Sequence, residues 1–235
     1  MISVFIDESS DTKFKEYFGL CVATINSSFY PAVKDEFQNV LLKYHWDPSI
    51  EFKGSFLFSA NKGDTSISVE DRVAIAQELI SLNKSAVNAR MKFHYFATNS
   101  KNHKSDYLEY LPALLKKALP TAEKKRDKNL LALHYDRRDD VTCSEIRQII
   151  TPILAEKSYI LYEDVVMTVS RFNTVGILYA DIVGYLQARI QTIKSDSELF
   201  ENIEPEHWES NGKLKKLRSS TKILQGIKQL KLYKV

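Results

Sequence analysis

The sequence predicts an α/β fold: a mixed β-sheet flanked by helices, with a basic C-terminal extension. Three observations lead there. Short apolar, β-prone runs alternate with segments of helical periodicity over about 190 residues. The first two runs, Ser3–Asp7 and Tyr17–Asn26, are close enough to pair as an antiparallel hairpin, which places an antiparallel edge on the sheet. From Asn211 to Val235 the chain carries eight Lys and Arg residues and no Asp or Glu, while the rest is net acidic.

The elements follow in order. After the hairpin, Pro31 opens a helix with Val33, Phe37, Val40, Leu41 and Tyr44 on one stripe, broken at Asp47-Pro48. The segment SIEFKGSFLFS and a polar loop over 60–68 precede a helix over 69–82 with Val73, Ala76 and Ile80 inward. Further strands are expected at Met91–Thr98, Leu130–Asp136 and 165–170. Helices are expected over 105–119, 144–155 and 174–193, the middle one kinked or shortened by Pro152. The body runs over residues 1–194. An acidic loop and the basic extension, residues 195–235, pack onto it.

Composition excludes several classes. Hydrophobic content of 44% and charged content of 27% suit a soluble globular chain. Two distant cysteines, Cys21 and Cys143, fit free thiols in a reducing compartment. The first apolar run is too short for a signal peptide, and the most hydrophobic stretch, TVGILYADIVGYL, is broken by Asp181. No membrane partner is expected, and a cytoplasmic location is. The sequence leaves a homodimer open.

The chemistry lies in the acids. Asp7 and Asp136 each end an apolar strand, at SVFIDE and LLALHYD. Asp181 interrupts the most hydrophobic helix, and Glu51 sits with Lys53 among Ile50, Phe52 and Phe56. A buried carboxylate needs a partner or a cation. Four acids from separate elements would suit two Mg²⁺ or Mn²⁺ ions, which take oxygen ligands and can activate water against a phosphodiester. Each acid also has an ordinary alternative. Asp7 could cap a turn, and Asp136 could pair with Arg137 or Arg138. Asp181 could accept from a Tyr or Ser hydroxyl, and Glu51 could form a surface pair with Lys53. His134 shares a strand face with Asp136, more simply as a packed histidine. An aspartyl-nucleophile phosphatase would want Asp at position nine, where the chain has Ser9.

The stretches FIDES, EFKGS, LHYD and LYADIVGYLQARI resemble the motifs of the family called domain of unknown function 3800, from Ile6 to about Arg189. The glycine that many of that family place after the DES triplet is Ser10 here. The resemblance implies a ribonuclease-H-like fold and a metal-dependent nuclease acting on DNA or RNA, in phage defence or a mobile element. It implies Asp7 as a ligand bridging two metals, with Glu51, Asp136 and Asp181 as further ligands. Glu8 matches the family's second acid. Lys53 would neutralise the scissile phosphate or pair with Glu51. Along a strand, Asp7 and Glu8 alternate between faces, so Glu8 reaches the same cleft only if the strand ends or bends. In the extension, Lys213, Lys215, Lys216 and Arg218 are the candidate contacts to nucleic-acid phosphates. The competing reading is a non-catalytic module of the same fold that binds nucleic acid or protein.

Overall fold

The structure is a computed structural model that describes residues 1–10, 17–83, 91–98, 102–122, 129–195, 211–225 and 230–233. Among the described residues, seven strands form one sheet. They are β1 (Ile2–Ser10), β2 (Phe18–Asn26), β3 (Met91–Thr98), β4 (Leu130–Asp136), β5 (Ile160–Leu161), β6 (Val166–Thr168) and β7 (Leu230–Tyr233). The order is β5-β4-β1-β2-β3-β7, with β6 continuing the β5 edge against β4. β1 pairs antiparallel with β2, and β2 with β3, while β4 runs parallel to β1 and β7 parallel to β3. The sheet is mixed, as expected, but its antiparallel part occupies the centre. Both margins are made by short parallel strands that carry weak sequence signals of their own.

The alternation of side chains along the strands divides the core in two. On one face Phe5, Cys21, Ala23, Phe93 and Tyr95 pack under α1 (Tyr30–Lys43), α2 (Val69–Ser81) and α5 (Val175–Ser195). On the other, Val4, Ile6, Leu20, Val22 and Leu133 pack under α3 (His103–Ala118) and α4 (Cys143–Lys157). Each fully buried Val, Leu, Ile or Phe among them contributes roughly 1.5–3 kcal/mol. Thr142 and Glu145 form a reciprocal capping box at the start of α4. That helix continues past Pro152 to Lys157 instead of ending early.

The basic extension differs from a single helical tail. Its helix, α6 (Gly212–Leu224), buries Leu214, Leu217, Ile223 and Leu224 against α5 and α2, and the chain then adds β7 to the outer edge of β3. An edge strand offers unpaired N–H and C=O groups, and β7 satisfies those of β3. The acidic stretch 196–210 lies outside the described residues. Cys21 and Cys143 are free thiols. Among the described residues, no helix is long and apolar enough to cross a membrane.

Candidate functional site

The parallel ladder between β1 and β4 ends at Ile6 and Tyr135, so Asp7 and Asp136 occupy the next positions at the same end of the sheet. Asp7 lies on the face covered by α5, opposite Cys21 in the β1–β2 ladder. Helix α5 comes unusually near here. A Cβ on Gly184 would lie 3.2 Å from Cys21 Cβ and 3.0 Å from Ser9 Oγ, so any larger residue would crowd the sheet at this depth. Asp181, one turn earlier, is thereby brought to the strand ends. The backbone N–H of Gly54, in the 3-10 turn Gly54–Phe56, donates to Asp181 Oδ2 at 2.5 Å.

These acids feel one another. Asp7 is 6% exposed, and burial raises its carboxyl pKa well above the usual range, reinforced by the charges of Asp181, Glu8 and Asp136. Burial raises Asp181 to about 6, against the opposing help of the Gly54 N–H and Lys53, with Glu51 and Asp136 adding repulsion. The Ser170 hydroxyl donates to Asp136 Oδ1 at 2.9 Å. Glu51 pairs with Lys53 at 3.1 Å through Oε2, while its Oε1 is buried with no hydrogen-bond partner. Burial also raises the Glu51 pKa, partly offset by Lys53. For Lys53, burial opposes the charge, yet Glu51, Asp181 and Asp136 together raise its pKa.

Asp7, Glu8, Asp136 and Asp181 line one open cleft of about 400 Å³. Lys53, Lys62 and Arg189 line the same cleft, with Tyr17 and Tyr185 between them. Asp181, Tyr185 and Arg189 are spaced four apart on α5 and so share a helix face. Arg189 Nε donates to Tyr185 Oη at 3.1 Å, and its guanidinium stands 5.2 Å from that ring's centre. Tyr17 and Tyr95 share a short hydroxyl–hydroxyl bond at the cleft wall. The result is an acidic floor under a basic and aromatic rim.

The other candidates are placed differently. β1 does not end at Asp7 but continues to Ser10, yet Glu8 still lines the cleft beside Asp7, at its margin toward α3. There its carboxylate meets Arg138 at 3.3 Å, and Arg138 in turn holds Asp140 and stacks over Tyr107. Burial, only partly countered by Arg138, raises Glu8 to about 7. Asp136 pairs with neither Arg137 nor Arg138, since Arg137 meets Asp139. His134 stacks on Phe5 with ring centres 5.3 Å apart and serves packing. Lys215 and Lys216 stand exposed on α6 beside a second cavity, not in the acidic cleft, and Lys213 and Arg218 are exposed on the same helix. Lys62, Arg189 and Tyr185 were not singled out from sequence. The spacing of four from Asp181 to Tyr185 to Arg189 was the available signal.

The donor set is made of carboxylate oxygens, which suits a hard divalent cation; Glu51 does not itself line the cleft, and its Oε1 is buried behind it. As placed, no group of three His, Cys, Asp or Glu among the described residues closes to metal-ligand spacing. Burial is the chief reason that the pKa values of Asp7 and Asp181 are raised, and repulsion between carboxylates with no cation between them adds to it.

No family model matches the chain, and no curated protein does. Among solved structures, it is similar to a chain of the PCNA–RNase HII complex from Archaeoglobus fulgidus. Identity is 9% and the TM-score 0.44, over 94% of this chain and 88% of that one. It is similar also to the ribonuclease H2 from Pyrococcus horikoshii OT3. Here identity is 11% and the TM-score 0.45, over 97% of this chain and all of that one. TM-scores below 0.5 carry no weight for the chemistry of this chain, which rests on its own carboxylates.

Proposed function

We propose that the chain is a divalent-metal-dependent nuclease that hydrolyses phosphodiester bonds of DNA or RNA, of the kind its motif resemblance to domain of unknown function 3800 implies. One observation carries the reading: Asp7, Asp136 and Asp181 arrive from two strands and a helix at the floor of one cleft whose rim is cationic. Asp7, Asp136, Asp181 and the free oxygen of Glu51 would hold Mg²⁺ or Mn²⁺, as two ions. Bound there, such ions supply Lewis acidity and a water of lowered pKa. Lys53, Lys62 and Arg189 bind and orient the phosphate backbone. The Gly54 N–H and the Ser170 hydroxyl fix the rotamers of Asp181 and Asp136. A role in phage defence or a mobile element follows from the family resemblance alone.

A metal-by-substrate panel tests this. Mg²⁺ and Mn²⁺ are each offered with DNA and with RNA, to the wild type and to Asp7→Asn. Cleavage by the wild type alone, and only with metal, is expected. Undiminished cleavage by the folded variant removes Asp7 from the chemistry. The second reading, a non-catalytic binding module, draws on the absence of closed ligand spacing among the described acids. A wild type that binds nucleic acid but cleaves none of the substrates with either metal favours it.

A further inference from the structure

A second cavity of about 400 Å³ lies between α2 and α6. Its apolar wall is Phe58, Val69 and Val73, all partly exposed, and α6 contributes Lys215, Lys216 and Ser219. Glu70 is the acid among its lining residues. Phe58 does not itself line the acidic cleft, but its ring centre is 6.4 Å from that of Tyr185, which does. Tyr185 and Phe58 therefore stand side by side, one lining each cavity. From the acids outward, the surface presents Tyr185 beneath Arg189, then Phe58, then two exposed lysines.

We infer that this track carries a single strand of nucleic acid away from the acidic cleft, with a base stacked on Phe58 and phosphates on Lys215 and Lys216. The alternation of aromatic rings and cations is what single strands use: bases stack on π-faces while the backbone follows positive charge. A base within a duplex has its faces covered by its neighbours and cannot lie on Phe58. The track thus selects single-stranded substrate, and Lys215 and Lys216 act through distance from the reacting phosphate, not on it. Glu70 at the rim weakens phosphate binding, and the two lysines outweigh it. The inference builds on the proposed nuclease reading but makes a separate demand, that binding should grow with strand length without any metal.

Fluorescence anisotropy in EDTA tests it, with labelled oligothymidylates and oligouridylates of about 5 and about 15 nucleotides, bracketing the usual single-strand site sizes. The wild type should bind the longer oligomers about tenfold tighter, the scale of one stacked base. Phe58→Leu keeps apolar volume and removes the π-face. It should bring the longer oligomer's affinity toward that of the shorter one and leave the shorter unchanged. Lys215→Ala with Lys216→Ala should do the same and lower the salt slope by about 1.4. Glu70→Gln should strengthen the longer oligomer. Equal binding of the two lengths overturns the track, as does equal weakening of both lengths in folded variants. Preference for a duplex of the same length overturns the single-strand assignment. A wild type that shows the length dependence but cleaves nothing with Mg²⁺ or Mn²⁺ leaves the track standing and rejects the nuclease reading.

Discussion

The backbone N–H of Gly54 and the carboxylate of Asp181, 127 residues apart in the chain, share a hydrogen bond of 2.5 Å. That bond joins the loop that carries Lys53 and Lys62 to the helix that carries Asp181, Tyr185 and Arg189. The contact needs glycine. A Cβ at position 54 would stand 2.5 Å from Tyr185 Cβ and 2.9 Å from its Cγ, and Cβ is not the far end of a flexible chain. Gly54→Ala should therefore push the loop off α5 and weaken the bond. The expected loss is about 2 kcal/mol, adding overpacking to a weakened hydrogen bond on a charged acceptor. Urea denaturation reads it as a lower midpoint with unchanged slope. An unchanged midpoint would mean the loop is not held by α5.

The acids set a pH dependence whose sign can be worked out. Folding raises Asp181 from 3.8 to about 6 and Glu8 from 4.5 to about 7, chiefly by burial. Both bind protons more tightly in the folded chain, so their contribution is fully present below about pH 4 and is lost as pH rises through about 6 to 7. The metal-free protein should melt at a higher temperature near pH 5 than near pH 8, and Asp181→Asn should flatten that difference. A hard cation binds the deprotonated set. Mn²⁺ should then raise the melting temperature near pH 8 and do little near pH 5. Equal stabilisation at both pH values would remove Asp181 from the metal site.

Asp7 is the acid most opposed by its surroundings, buried and facing three other carboxylates. Asp7→Asn keeps its size and removes the charge. At neutral pH, without metal, the variant should be more stable than the wild type by about 1–2 kcal/mol, since the wild type must either bury that charge among like charges or bind a proton to quench it, and the amide does neither. The same variant should lose metal-dependent cleavage. Calorimetric melting in EDTA and gel-based cleavage in Mn²⁺ measure the two effects on one preparation. A variant less stable than the wild type without metal would show that Asp7 is needed for packing.

Much of this site was legible because its acids break patterns. Asp7 and Asp136 end strands that are otherwise apolar, and Asp181 interrupts a helix that is otherwise buried. Such breaks stand out in one dimension. Glu8 illustrates a rule that tertiary structure qualifies: β1 runs two residues past it without ending, yet Glu8 lines the cleft as well as meeting Arg138. The depth of α5 was also written in the sequence, as Gly176, Ala180, Gly184 and Ala188 at intervals of four, a face of small residues that presses on the sheet. Other features belong to tertiary pairing. β7 is a strand because β3 offers it an edge, and Lys62 reaches the cleft because the loop around it is fixed from below. Local pattern holds no record of either.

That fixing from below is done by Arg72, fully buried on α2. Its guanidinium donates to the carbonyl oxygens of Phe56, Ser59, Lys62, Asp64 and Ile67, at 2.5 to 3.1 Å. Five backbone acceptors from one loop converge on one planar group, so the loop has a defined shape without regular secondary structure. The loop in turn presents Lys62 to the cleft and Phe58 to Tyr185. Arg72→Met should leave those carbonyls buried and unmet, a loss of about 3 kcal/mol or more. Arg72→Lys keeps the charge but not the fork, and should recover only a small part. Hydrogen exchange should speed up across residues 54–68 in both variants while β1 and β2 stay protected. Should exchange in that loop match the wild type in Arg72→Met, the guanidinium is not what shapes it, and the placement of Lys62 must come from elsewhere.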